Sequence, residues 1–377
     1  MDRTRELIPI LTRIDPSTLD LSEPVRHPSG ATLRTWTKAD GLELLENFVL
    51  EVGSNSAWRL VTRNHEGADL ASGGTSLILA AMAAAIVEEY LALVALRALD
   101  VHLKELRIEL PAMMSGPVAK PRIYIETVDT LSDTDRRQLA IEAMGASPAR
   151  GLLGQKLDNS FSLARNNRRI MLPDLPPAIG RPLAGSAGKW QQARQEKINA
   201  QHAGYRAGNS TASKLIVANA VSDGQSHVDV NVTGSQSGNL TLRMRINESE
   251  SGQVSFPNWQ SVLSAGVSAE FTERIYQQSQ LAGIHLEAAE LTLDSHFSPG
   301  GASSNTGKPG KTSPFGFHVE IASDAAEMAI KDLVQQTTME SLGQQFTRRA
   351  NPPVLECRGS RPEPKTIGLL QRIFSRN

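Results

Sequence analysis

Only one cysteine, Cys357, stands among 377 residues. A single thiol excludes an intramolecular disulfide, a dithiol redox site and a cysteine-rich zinc cluster within the chain. Aromatic residues are scarce at 5%, which is poor material for base-stacking platforms. No charge sign dominates either: 39 Lys and Arg face 40 Asp and Glu, a formal net charge of −1. The chain as a whole is therefore not an electrostatic binder of nucleic acid. The opening residues, MDRTRELIPILTRIDPSTLD, lack the apolar run and small-residue cleavage site of a secretory signal. The most apolar stretch, Leu77 to Leu99, carries Glu88, Glu89 and Arg97, and charges near a bilayer centre cost ~2.5–3.5 kcal/mol each. The expectation is a soluble cytoplasmic protein without stable membrane insertion.

What is present is ordinary globular material, 40% hydrophobic and 21% charged. The length suggests two or three domains. Residues 1–30 read as an N-terminal extension, with a short amphipathic helix at Arg3–Arg13 broken before Pro16. Period-2 runs at Ala31–Trp36 and Ala57–Thr62 read as strands. After Gly73-Gly74, Thr75–Val94 predicts a long helix, Ala- and Leu-rich and apolar on nearly all faces, hence buried at a domain centre. Strands at Leu106–Leu110 and Arg122–Val128 follow, then a helix capped by Ser132 and running to about Met144. Residues 165–210, rich in Pro and Gly with eight Lys/Arg against two Asp/Glu, read as a basic linker holding a helical piece at Lys189–Gln201.

From residue 211 the order repeats. Strands at Lys214–Ala220 and His227–Val232 flank the turn signal Ser222-Asp223-Gly224, and Leu240–Ile246 is a third strand. A second small-residue helix opens at Pro257, and strands at Glu290–Leu293 and Phe315–Ile321 precede a last helix at about Asp324–Gln336. Leu99–Leu110 aligns without gaps with Ala282–Leu293, pairing Asp100 with Gly283 as helix breakers and His102 with His285 as candidate helix caps. Internal duplication is the strongest organisational signal. The domains are then 31–164 and 211–346, with residues 347–377 as a basic C-terminal tail. That tail's Ile367–Phe374 run reads as a docked strap or disordered segment ahead of a membrane-surface helix.

The buried helices Leu79-Ala-Ala-Met-Ala-Ala-Ala-Ile86 and Leu263-Ser-Ala-Gly-Val-Ser-Ala-Glu270, each followed by a helix that ends near Ser147-Pro148 or Ser341-Leu342, resemble the OsmC/Ohr family of osmotically inducible and organic-hydroperoxide-reducing proteins. The resemblance covers about residues 50–160 and 211–346. It implies an α+β fold: two OsmC-like domains in one chain forming an intramolecular pseudo-dimer, with crossed central helices flanked by antiparallel sheets. It places the family's peroxidatic cysteine at Ile86 and Glu270, its resolving cysteine at Ser147 and Ser341, and its supporting acid near Ser76 and Gln260. Neither cysteine pair is present, and thiol peroxidase chemistry needs a thiolate and a second thiol to capture it.

Glu270 then becomes the candidate catalytic residue, a carboxylate among small side chains suited to general acid or base work. Glu273, Arg274 and Tyr276 are its candidate partners, and Ile86, Ser147 and Ser341 complete the binding positions. An interfacial ion pair is the competing role for Glu270. His296 and His318 are too far apart in sequence to mark a metal site, and Asn305–Thr312 imitates a phosphate loop but lacks its first glycine and a following helix. No cofactor is implied. The expected function is binding of a small, largely apolar organic molecule in an inter-domain pocket. The alternatives are a Glu270-based hydrolase, isomerase or hydratase, or a non-catalytic scaffold.

Overall fold

In the computed structural model, residues 11–15, 30–40, 44–52, 56–63, 73–111, 120–150, 155–178, 195–196, 203–206, 215–222, 226–235, 238–246, 256–348 and 352–360 are described. They form five helices, α1 (Gly74–Leu96), α2 (Asp133–Ala146), α3 (Trp259–Leu281), α4 (Glu327–Glu340) and α5 (Leu342–Arg348). Two sheets accompany them, so the fold is α+β.

α1 and α3 are each 23 residues long and pack against one another. They run antiparallel. The start of α1 meets the middle of α3, and Trp259 at the start of α3 donates its indole N–H to Glu88 late in α1, at 2.7 Å. Glycine makes the crossing close. A Cβ on Gly74 would overlap the backbone of Glu270, and one on Gly266 would sit 2.8 Å from the backbone nitrogen of Ile78. The apolar composition of α1 is explained by this position: residues from Leu77 to Val87 are at most 1% exposed. Among the described residues α1 alone would suffice, by length and composition, to cross a membrane, but 83% of its most apolar window is buried inside the protein.

Each sheet draws strands from both parts of the chain. The ten-stranded sheet runs Arg168–Ile170, Ser160–Arg165, Gly316–Ala322, Ala288–Ser298, Ala31–Asp40, Leu44–Glu51, Ala57–Arg63, Leu11–Ile14 and Gln195–Glu196, with Lys311–Thr312 beside Ala288–Ser298. The seven-stranded sheet runs Ala203–Arg206, Gly238–Arg245, His227–Ser235, Leu215–Ser222, Val101–Pro111, Arg122–Asp129 and Val354–Ser360. Antiparallel sheets are the expectation, but both are mixed, because a strand from a distant part of the chain joins each in parallel. Gly316–Ala322 pairs in parallel with Ser160–Arg165, and Arg122–Asp129 pairs in parallel with Val354–Ser360. α1 lies against the seven-stranded sheet and α3 against the ten-stranded one, which sandwiches the helix pair. α2 packs on α1, and α4 on α3.

Apart from the helices expected at 3–13 and 189–201, the expected strands and helices are present within a few residues of their limits, and Ser132 caps α2 by accepting from the Asp135 N–H at 3.1 Å. Four expectations need correction. Leu11–Ile14, read as the end of an amphipathic helix, is a strand paired with Ala57–Leu60. Residues 165–170 and 203–206, both read as linker, are strands: the first form a hairpin whose turn residues Asn166 and Asn167 take left-handed φ values of 50° and 62°, and Ala203–Arg206 pairs with Gly238–Arg245. Gln195–Glu196, inside the expected helix at 189–201, pairs with Arg13 and Ile14 as a strand; the rest of that helix lies outside the described residues. Val354–Ser360, read as tail, is the edge strand of the seven-stranded sheet.

The ungapped alignment of the two helix exits also shifts. The left-handed residue after α1 is Ala98, at φ 48°, and the one after α3 is Gly283, at φ 64°. Each closes its helix with the same pair of bonds, Leu99 N–H to Val94 O and Ile284 N–H to Ser279 O among them. Asp100 and Gly283 are therefore not equivalent, and neither are His102, which lies within strand Val101–Pro111, and His285, which precedes Ala288–Ser298.

Candidate functional site

Glu270 is the twelfth residue of α3 and is 2% exposed. Its carboxylate faces the junction of α4 and α5. Oε2 accepts from the Ser341 hydroxyl at 2.6 Å and from the Gly343 N–H at 3.2 Å. Oε1 accepts from the Leu342 N–H at 2.8 Å and from Arg274 Nε at 3.4 Å. The first backbone donors of a helix have no intrahelical acceptor, and an anion there satisfies them. Glu270 is thus the cap of α5, supplied from another helix, and two donors occupy each oxygen.

The first part of the chain has a parallel contact. The twelfth residue of α1 is Ala85, and the residue that ends α2 is Ser147, as Ser341 ends α4. The Ser147 hydroxyl donates to the Ala85 carbonyl at 3.3 Å. Position by position, Ala85 and not Ile86 corresponds to Glu270; Ile86 is a core side chain, 1% exposed. The difference of one residue follows from the helix starts, which the small-residue pattern alone does not fix.

The expected partners of Glu270 disperse. Arg274, one turn on, reaches it and also donates to Gln277 at 2.7 Å. Glu273 instead takes a hydrogen bond from Arg63 at 3.0 Å, beside Gly73 at the entry to α1. The Tyr276 hydroxyl accepts from the Ala289 N–H at 3.1 Å, on the next strand. Burial pushes its phenol up, the Ala289 bond opposes this, and Glu290 adds to the rise. Of the three, Arg274 is the one hydrogen-bonded to Glu270.

Other polar clusters come from residues far apart in sequence. Arg34 holds Asp294 through two bonds of 2.7 and 2.8 Å. His318 sits with Nε2 3.4 Å from Asp294 and Nδ1 2.8 Å from Ser162 Oγ. Burial would raise the Asp294 carboxyl, but hydrogen bonds from Arg34 and His318 and their charges hold it below the usual carboxylate range. Asp294 is committed to Arg34, while Ser162 and His318 are 5% and 1% exposed. The cluster therefore ties four strands together and presents no nucleophile to solvent. The Asn305–Thr312 segment belongs to a loop whose Ala302 and Ser303 N–H groups bind the Glu89 carboxylate of α1.

An apolar cavity of about 500 Å³ opens between the end of α2 and the segment entering strand Val354–Ser360. Ile141, Met144, Pro352, Pro353, Val354 and Leu355 provide its apolar lining, with Arg137 and Arg150 beside them. Nothing in the sequence marked it, because its walls lie some 200 residues apart. No protein-family model, curated protein or solved structure matches the chain.

Proposed function

We propose that this chain is a tandem OsmC/Ohr-like protein of the cytoplasm, a single-chain pseudo-dimer that has given up thiol peroxidase chemistry and binds a small, largely apolar organic molecule. The observation that carries this reading is the pair of contacts between a mid-helix residue and a helix-ending serine, Glu270 with Ser341 and Ala85 with Ser147. Glu270, Ser341 and Ser147 stand where the resemblance puts cysteines, Ala85 stands one residue before the Ile86 it named, and none of the four is a thiol. The exchange of strands between the sheets supports the pseudo-dimer. A general acid or base needs a lone pair or proton turned toward substrate, and four donors already surround the Glu270 carboxylate. The binding role therefore falls to the cavity between α2 and the segment entering the C-terminal edge strand, which is not the inter-domain pocket expected from the sequence.

Thermal melting of the full chain against a panel of neutral and ionic small organic molecules tests the reading. A compound that binds the folded state raises the melting temperature by mass action. No shift across the panel, or dithiol-dependent turnover of organic hydroperoxides by the Cys357→Ser protein, would overturn it.

A further inference from the structure

The cavity beside α2 has a composition that selects among small molecules. Its volume lies within the ~300–1,000 Å³ range of small-molecule sites. None of its nine lining residues is aromatic, and none is acidic. Ile141 and Val354 expose 46% and 44% of their surface there, apolar area that nothing in the described structure covers. Arg137 forms no ion pair or hydrogen bond among the described residues, and Arg150 makes only a 3.4 Å contact with the Gly145 carbonyl. Apolar surface beside two uncompensated guanidinium groups is complementary to an amphipathic anion, and guanidinium favours planar carboxylates.

α4 provides an internal contrast. It has the same 14-residue length as α2, yet its fifth residue, where α2 has Arg137, is Lys331, paired with Glu327 at 2.8 Å. Its ninth residue, where α2 has Ile141, is Gln335, which donates to Asp174 at 2.9 Å. Helix packing at this place is thus met with satisfied polar residues in one part of the chain. The apolar and cationic set on α2 is not a demand of the fold.

We propose that this cavity binds a free medium-chain monocarboxylate, its alkyl chain on Ile141, Met144, Pro353 and Leu355 and its carboxylate at Arg137 and Arg150. The inference deepens the small-molecule reading above and rests on it. Isothermal titration of the full chain with decanoate, 1-decanol and acetate tests it. Decanoate should bind, 1-decanol at least tenfold more weakly, and acetate without measurable heat. Replacing both arginines by glutamine (Arg137→Gln with Arg150→Gln) should weaken decanoate at least tenfold and leave 1-decanol unchanged. Ile141→Asp should weaken both ligands at least tenfold, while thermal melting reports that each variant is folded. No decanoate binding up to millimolar concentration would overturn the inference. So would decanoate and 1-decanol of equal affinity, or decanoate affinity unchanged in both variants. The broader reading is judged separately, because it fails when no member of the melting panel binds or when the Cys357→Ser protein turns over organic hydroperoxides with a dithiol.

Discussion

The Ser341 hydroxyl donates a 2.6 Å hydrogen bond to Glu270 Oε2, tying the middle of α3 to the turn between α4 and α5. The same carboxylate receives the first two amides of α5, so three elements converge on one buried side chain.

Glu270→Gln should therefore destabilise the protein. The amide NH₂ must face an N–H donor that the carboxylate oxygen accepted, which leaves buried groups unmatched at ~1–3 kcal/mol. Ser341→Ala should cost ~1 kcal/mol, and the double variant less than the sum, because the two share one bond. Urea denaturation of the three variants measures this. An unchanged Gln variant would return Glu270 to candidacy as a catalyst.

Acid should weaken the fold through Asp129. Its carboxylate is fully buried against Arg136, which holds it with bonds of 3.1 and 2.8 Å. Burial would raise this carboxyl, but hydrogen bonds from Arg136, Thr127 and the Leu131 N–H together lower it below the ordinary value. A carboxyl depressed in the folded state contributes stability that is fully present above its unfolded pKa of ~3.9 and lost as pH falls through the folded pKa. Stability measured in urea should fall between pH 5 and pH 3, and fall less steeply in Asp129→Asn. Equal slopes would show that Asp129 does not carry the effect.

Ala98→Gly should stabilise the chain by ~0.5–1 kcal/mol. Ala98 holds a left-handed φ of 48°, which a Cβ disfavours, whereas Gly283 ends α3 the same way without that penalty. Denaturation midpoints compare the two proteins, and a lower midpoint for the glycine variant would count against the strain.

Residues 1–210 expressed alone should not give a folded monomer. Strands Val101–Pro111 and Ala31–Asp40 would each lose a neighbour, Leu215–Ser222 and Ala288–Ser298 respectively. α1 would lose α3. Sedimentation and circular dichroism should find aggregate, self-associated or unfolded chain. A well-folded monomer would contradict the exchange.

Local pattern made much of this legible. The Ala-rich run of α1, the period-2 strands and the Ser132 cap act within a few residues, and they lie where the sequence placed them. The sequence pointed to Glu273, Arg274 and Tyr276 as partners of Glu270; Arg274 reaches it, but Ser341, 71 positions away, was not marked as a partner. Pairing over distance was not legible. Arg34 and Asp294 are 260 positions apart, and nothing local marks either as the partner of the other. Val354–Ser360 follows two prolines in a basic stretch, and only its neighbour Arg122–Asp129 makes it a strand. Asn166-Asn167 read as linker because asparagine serves loops and left-handed hairpin turns alike.

The parallel edge strand Val354–Ser360 has a consequence for biosynthesis. A ribosome delivers Arg122–Asp129 more than 200 residues before the segment that pairs with it. Throughout that interval the strand's outer row of N–H and C=O groups is an open template for another nascent chain. Folding dominated by such distant pairings is slow. Yield in a cell should therefore depend on translation speed and on chaperones that shield sheet edges, and a stop codon placed before residue 354 should send otherwise complete chains into aggregates.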